Sequence, residues 1–351
     1  RYFATPENSK EWSEDLDKLL DSPEKNFVEG YEPEGEAIIM SEFGMWGLPT
    51  YSLLTSNYSD YPAWFKGSAE IFNEDFKIPK TLEKNFKQYN FKEIFADYDE
   101  ISAAAQKREF TGVKYQIEEM RKRKEKGLSG YVVTELTDIE WETNGFLDYF
   151  RNYKYDLEKI QAFNADLIVS LELEKRNLWA GEKLKVKPYL INDKKDAVEA
   201  ELIIRLNDRV CKREEIKIEA DSVQELAEFS VELPELKNVE KLNLVAVLKQ
   251  NESILNKNNE QIIVAAKNII KEKNKEYLNQ KSAENIIVTD KLDEEKLSSI
   301  WKGSSALFLA EAGEEITDKS LFNFKKLKKG ESWDKAASFH FLNTGELDEN
   351  N

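Results

Sequence analysis

A short apolar run, Ala37-Ile38-Ile39-Met40, breaks into Ser41-Glu42-Phe43-Gly44. A buried strand that stops at a carboxylate can deliver an acid to the mouth of a site, and a glycine just behind it lets the backbone turn away sharply. A second apolar run, Tyr131-Val132-Val133-Thr134-Glu135-Leu136, also opens into acids: Glu135, Asp138, Glu140 and Glu142, with Trp141 among them and the turn signal Asn144-Gly145 behind. Trp46 follows the first acid at short range. If the two strands are parallel, their acids and indoles converge at one end of a sheet. Carboxylates accept hydrogen bonds from hydroxyls and indole faces pack on the apolar side of a pyranose, so the chemistry suggested is sugar binding or sugar cleavage. The candidate residues are Glu42, Trp46, Glu135, Asp138 and Trp141. Each also has a plainer reading: Glu42 as a solvated strand end, Glu135 and Asp138 as loop caps or partners of Lys and Arg, and the tryptophans as loop packing.

The elements around these residues alternate helix and strand. The spacing of Trp12, Leu16, Leu19 and Leu20 predicts a helix over Glu11 to Leu20. Phe110, Val113, Ile117 and Met120 predict a longer one from Ala103 to Lys126, with a basic last turn and stops at Gly127 and Gly130. Strand, helix, then apolar strand is the pattern of a parallel βα unit. From Asp166 to Ala266 the period changes to two. Expected strands are Leu167 to Leu173, Leu184 to Ile191, Ala200 to Leu206, Ile216 to Ala220, Ala227 to Leu233, Leu242 to Leu248 and Gln261 to Ala265, the pattern of an immunoglobulin-like sandwich. Residues 267–283, rich in Lys and Asn, read as a linker. Ile286 to Val288, a helix over Leu292 to Trp301 and Ala306 to Leu309 then read as part of a further α/β domain in 284–351.

Composition narrows the function. The chain has 351 residues and a formal net charge of -17, a surface that repels phosphate backbones and argues against nucleic acid as a partner. No apolar run approaches the roughly 20 residues of a membrane span. One cysteine, Cys211, excludes an intrachain disulfide, and with one histidine, His340, it cannot build an ordinary structural zinc site. No motif calls for a metal or a cofactor. Cys211 reads as a plain strand residue, His340 as structural, and Trp179 as packing. The chain begins at Arg1 and reads as a piece of a longer protein. The compartment, cytoplasmic or exported, and the oligomeric state stay open.

Ile39-Met40-Ser41-Glu42-Phe43-Gly44 resembles the nucleophile strand of glycoside hydrolase family 2, which includes β-galactosidases, β-glucuronidases and β-mannosidases. The stretch from Gly130 through Thr134-Glu135-Leu136-Thr137-Asp138-Ile139-Glu140-Trp141-Glu142 to Gly145 resembles that family's last barrel strand and outgoing loop. The likeness continues into Leu147-Asp148-Tyr149 and the sandwich segment Trp179-Ala180-Gly181-Glu182. The resemblance implies a multidomain α/β plus all-β chain. It would hold the C-terminal part of a (β/α)8 TIM barrel in 1–160, an immunoglobulin-like β-sandwich in 166–266 and a partial α/β domain. It implies a retaining exo-β-glycosidase acting on a β-linked glycoside or oligosaccharide, with Glu42 as nucleophile and a second carboxyl about 5–5.5 Å away as acid/base. In the family that acid/base follows an asparagine upstream of the nucleophile. No acid before Glu42 here follows an asparagine, so the residue is expected upstream of Arg1 and this chain alone is expected to be inactive. The tryptophan that several members carry near Thr134 is absent. The rival reading is a non-catalytic carbohydrate-binding or scaffolding protein derived from a hydrolase.

Overall fold

The computed structural model describes residues 4–6, 10–22, 36–57, 80–139, 142–266, 286–289 and 305–308. Trp141, residues 58–79, the expected linker, the helix over Leu292 to Trp301 and His340 lie outside the described residues. The chain divides into two compact units, 1–266 and 267–351.

The first unit opens with helix α1 (Lys10–Asp21), whose Trp12, Leu16 and Leu20 are buried at the i, i+4, i+8 spacing read from the sequence. Strand β1 (Ile38–Phe43) follows, then the short helices α2 (Tyr51–Asn57) and α3 (Lys80–Gln88). Helix α4 (Tyr98–Lys122) starts five residues before the apolar stripe suggests. The Asp97 carboxylate caps it by accepting from the Glu100 backbone N–H at 2.8 Å, a polar start signal that hydrophobic spacing does not register. A 3-10 turn over Lys124–Lys126 ends at Gly127, whose φ of 95° puts it in the left-handed region that glycine adopts freely. That turn leads straight into β2 (Leu128–Val133).

Strands β1 and β2 pair in parallel, Ile38 with Leu128, Met40 with Tyr131 and Phe43 with Val133. The helix between them makes this one βα unit. Ile38, Met40, Phe43, Tyr131 and Val133 pack on Val113, Ile117 and Met120 of α4 and on the α1 face. On the other face of the pair, Ile39 is 59% and Val132 53% exposed. The expected strand Tyr131 to Leu136 thus lies earlier. After Thr134 donates to the Phe43 carbonyl at 2.8 Å, the chain leaves the ladder.

Helix α5 (Leu157–Asn164) leads into nine strands forming a two-sheet β-sandwich. They are β3 (Leu167–Leu173), β4 (Asn177–Trp179), β5 (Lys183–Asn192), β6 (Val198–Leu206), β7 (Arg209–Ile218), β8 (Ser222–Glu225), β9 (Phe229–Glu232), β10 (Val239–Gln250) and β11 (Ser253–Ala265). One sheet has the order β4-β11-β10-β6-β7; the other has β3-β5-β8, with β9 also on β5. The core between them is aliphatic, with Leu184, Leu190, Leu202, Ile204, Leu244 and Leu248 fully buried. Cys211 lies on the outer strand β7 and Trp179 is 40% exposed.

Helix α4 is joined to the sandwich by polar groups. The Lys114 ammonium lies 3.0 Å from Glu118 Oε1 and also contacts Glu260, which takes Arg176 at 2.6 Å. Glu118 accepts from Ser170 Oγ at 3.0 Å and from Asn258 Nδ2 at 2.7 Å. In the second unit, β12 (Ile286–Thr289) and β13 (Ser305–Phe308) pair in parallel.

Candidate active site at the end of the parallel pair

The register of β1 and β2 decides where the acids go. Because the strands are parallel and Phe43 faces Val133, Glu42 and Glu135 emerge at the same end of the pair. The register shifts between Met40 and Phe43, so Ser41 and Glu42 occupy an irregularity in the strand and both are exposed. Phe43 behind them is fully buried and makes an edge-on contact with Tyr131, ring centroids 5.9 Å apart. The carboxylate of Glu42 is therefore presented from an anchored strand tip. Gln116 of α4 fixes the turn that follows by donating to the Gly44 and Ala4 carbonyls, each at 3.2 Å. Trp46, in the outgoing segment, is half-buried.

The loop after β2 doubles back on itself. Glu135 N donates to the Asn144 carbonyl and Phe146 N to the Glu135 carbonyl, both at 3.1 Å. Leu147 N reaches Leu136 O at 2.9 Å, Asp138 N reaches Leu147 O at 2.8 Å, and Ile139 and Glu142 exchange backbone bonds. The Thr134–Glu135 peptide is cis. This loop is also tied to the segment after β1: Gly47 N donates to Thr143 O at 3.0 Å, and the Thr143 hydroxyl donates to Gly47 O at 2.6 Å. The two mouth segments are held as one piece.

Beneath them lies a buried charge cluster. The Lys154 ammonium donates to Asp138 Oδ1 at 2.9 Å and to the Thr143 carbonyl at 3.0 Å, and lies 3.0 Å from Glu109 Oε2. Asp138 Oδ1 also accepts from Gly145 N at 2.9 Å. Asp138, expected among the substrate contacts, is thus buried under the loop and engaged by a lysine and a backbone N–H, one of the plainer readings open from the sequence. Burial raises its pKa, opposed by Lys154. Burial pushes Glu109 up to about 8 against the pull of Lys154. Glu135 is raised to about 7 by burial and by the Glu142 and Asp138 carboxylates. A half-buried carboxyl poised near neutrality at a strand end can either donate or accept a hydrogen bond.

Among the described residues, several buried side-chain atoms at this end have no hydrogen-bond partner: Glu135 Oε1, Asp138 Oδ2 and both amide atoms of Asn144. Unsatisfied buried polar atoms are uncommon in folded proteins and each calls for a reason. No group of three or more His, Cys, Asp or Glu side chains among the described residues is arranged to hold a metal ion.

The structure brings Glu42 and Glu135 to one end of the pair, with Trp46 on the outgoing segment and Asp138 below the loop. Sequence reasoning missed Glu109, Lys154 and Thr143. Glu109 left a signal: it lies four residues from both Ala105 and Val113, an acid on the buried side of its helix. Nothing in the spacing around Lys154 marks it.

No family model matches the chain, and no curated protein matches it. Among solved structures it is similar to a β-D-mannosidase from Dictyoglomus thermophilum, at 18% identity and a TM-score of 0.46, over 65% of this chain and 27% of that one. It is also similar to the CARDB domain of a Pyrococcus furiosus protein, at 12% identity and a TM-score of 0.24, over 29% of this chain and 92% of that one. The sporulation control protein of Bacillus subtilis shares 16% identity over 33% of this chain and 56% of that one, at a TM-score of 0.27. The chain spans 27%, about a quarter, of the mannosidase. These likenesses are too distant to assign a family.

The loop geometry gives one stability prediction. A Cβ on Gly145 would meet the Asp138 nitrogen and the Thr137 carbonyl carbon, each at 2.3 Å. Backbone atoms cannot yield as a side-chain tip does. Gly145→Ala is expected to cost about 1–3 kcal/mol or more in urea unfolding, the range for forced overpacking. A variant within about 0.5 kcal/mol of the parent, the range for a neutral surface change, would show that the loop is not held this closely.

Proposed function

We propose that the chain is part of a retaining exo-β-glycosidase of the glycoside hydrolase family 2 type, cleaving O-glycosidic bonds with Glu42 as nucleophile. The observation that carries this reading is the parallel register of β1 and β2, which sends Glu42 and Glu135 out at the same end. The uncovered apolar face of the pair supports it too. Parallel sheets are normally covered on both faces, and Ile39 and Val132 are placed as interior residues of a (β/α)8 barrel would be.

In this reading the Glu42 carboxylate attacks the anomeric carbon and the C–O bond to the leaving group breaks. The leaving oxygen takes its proton from an acid/base carboxyl upstream of Arg1. Water, deprotonated by that same carboxyl, then attacks the anomeric carbon and frees Glu42. Glu135 holds a substrate hydroxyl, Trp46 and Trp141 wall the sugar, and Asp138 acts indirectly by holding the 135–147 loop. The non-catalytic carbohydrate binder shares this geometry and differs in chemistry.

Covalent trapping separates the two. Protein carrying the complete barrel is incubated with a 2-deoxy-2-fluoro-β-glycoside bearing a dinitrophenyl leaving group, across gluco, galacto and manno sugars. A mass shift equal to the fluoroglycosyl group, mapped to the peptide that contains Glu42, is the expected result. Label on another carboxyl, or no label with any sugar, overturns the assignment.

A further inference from the structure

A cleft of about 690 Å3 lies in the first unit between α4, the start of α5 and strands β4 and β11. Its volume is in the range of small-molecule sites, roughly 300–1,000 Å3. Its charge runs against the rest of the molecule. In a chain with 68 acidic and 51 basic residues, six cations and only two acids line it.

Both acids already have partners. Glu260 on the floor is already shared by Lys114 and Arg176. Asp156 caps α5 by accepting from the Glu158 backbone N–H. Lys154 is committed to Glu109 and Asp138. That leaves Lys107, Arg108 and Lys159, all exposed. Lys107 reaches only the neutral side-chain oxygen of Gln261, at 3.2 Å, while Arg108 and Lys159 have no carboxylate partner among the described residues.

The contrast along α4 and the 3-10 turn that follows it is what gives this weight. From Lys114 to Lys126, Lys114, Arg121, Lys122, Arg123, Lys124 and Lys126 all pair with carboxylates. Lys107 and Arg108, which α4 turns into the cleft beside the paired Lys114, do not. The amide residues Asn177 and Asn259, on β4 and β11, line the same cleft.

We propose that this cleft binds the phosphate group of a small ligand, either free phosphate or a phosphate ester of a polyol. A phosphate dianion is matched by a guanidinium fork and point-charge lysines. The amide-lined wall has the donors and acceptors to hold a polyol. The cleft shares Lys154 with the cluster beneath the mouth loops but not Glu42 or Glu135, and the proposal does not depend on the glycosidase reading.

The test is calorimetric titration of the whole chain at low ionic strength with inorganic phosphate and, separately, glucose 6-phosphate. Saturable binding to one site is expected. It should weaken at least fivefold in the double variant Arg108→Glu/Lys159→Glu. The double variant Lys195→Glu/Lys237→Glu, with the same charge change on exposed loop residues, should weaken it less than twofold. All four positions are exposed, and circular dichroism checks that each variant folds. Either ligand binding in this pattern supports the site, and the tighter of the two identifies the source of the phosphate. Absence of saturable binding for both ligands, a loss below fivefold in the cleft variant, or an equal loss in the control overturns the proposal.

Discussion

Replacing Glu42 with glutamine is expected to abolish turnover of an aryl β-glycoside by protein that carries the complete barrel, while leaving its fold intact. The amide is close to isosteric but a poor nucleophile, so glycosylation loses the attacking group itself. A loss of about a thousandfold or more in kcat is the scale for removing a nucleophile. Stability should move by no more than about 0.5 kcal/mol, because Glu42 is exposed and the anchor of the strand tip is the buried Phe43. The matching experiment is chemical rescue: Glu42→Ala with added azide should form a glycosyl azide of inverted anomeric configuration, since the small anion takes the vacated position. Glu135→Gln makes a useful contrast. A hydroxyl contact weakens binding and the transition state more modestly, and the amide can still hydrogen-bond. Turnover above a few per cent in Glu42→Gln would remove Glu42 from the mechanism.

What could be read from the sequence followed from how each element meets its surroundings. Strand β3 matches the expected Leu167 to Leu173 because its positions are almost all apolar and buried. Strand β11 was visible only as Gln261 to Ala265, although it runs from Ser253. Its inward positions before Ile262 include Asn256, Asn258 and Glu260, polar residues that break the alternation of apolar side chains. They are buried because β3 and α4 satisfy them: Asn256 Oδ1 accepts from Val169 N at 3.1 Å, and Asn258 donates to Val169 O at 2.7 Å. A period-two rule assumes an apolar interior, and here the interior at the helix–sandwich junction is a polar network. Strand β7 was under-read for the opposite reason. It lies at the end of its sheet, mostly exposed, so only its last residues alternate. At the candidate site the strand-end acids were legible because an apolar run stopping at a carboxylate is a local pattern. The cluster below them was not, because Glu109 and Lys154 meet only when the helix and the loop after β2 have folded together.

That cluster carries the second large prediction. Lys154→Met keeps most of the side-chain volume and removes the ammonium that Asp138, Glu109 and the Thr143 carbonyl share. Asp138 is then a buried charge with one backbone N–H for company, and breaking a buried pair in this way costs about 3–5 kcal/mol. Urea unfolding near pH 7 measures it, and a cost below about 1 kcal/mol, the scale of an exposed pair, would show that Lys154 does not hold the mouth loops. Adding Asp138→Asn to Lys154→Met should recover part of the loss, because the stranded charge goes with it. The pH dependence has a definite sign. Glu109 is held neutral by burial up to about 8 and Glu135 up to about 7, against an ordinary value of 4.5 for each. A carboxyl with a raised folded pKa gives stability that is complete below its unfolded pKa and lost as pH climbs through the folded one. The protein should therefore weaken between pH 5 and about 8, with Glu109 contributing on the order of 5 kcal/mol. On the acid side, Arg123 and Lys126 hold Asp17 at about 2, while Lys122 and Arg123 hold Glu119 there against the cost of burial. Their contributions are present above the ordinary carboxylate range and fade as pH falls through about 2. Glu109→Gln should flatten the alkaline limb and leave the acid limb in place, because it replaces a carboxyl that is already neutral in the fold. An unchanged alkaline slope in that variant would mean that the loss arises from Glu135 or from groups outside this cluster.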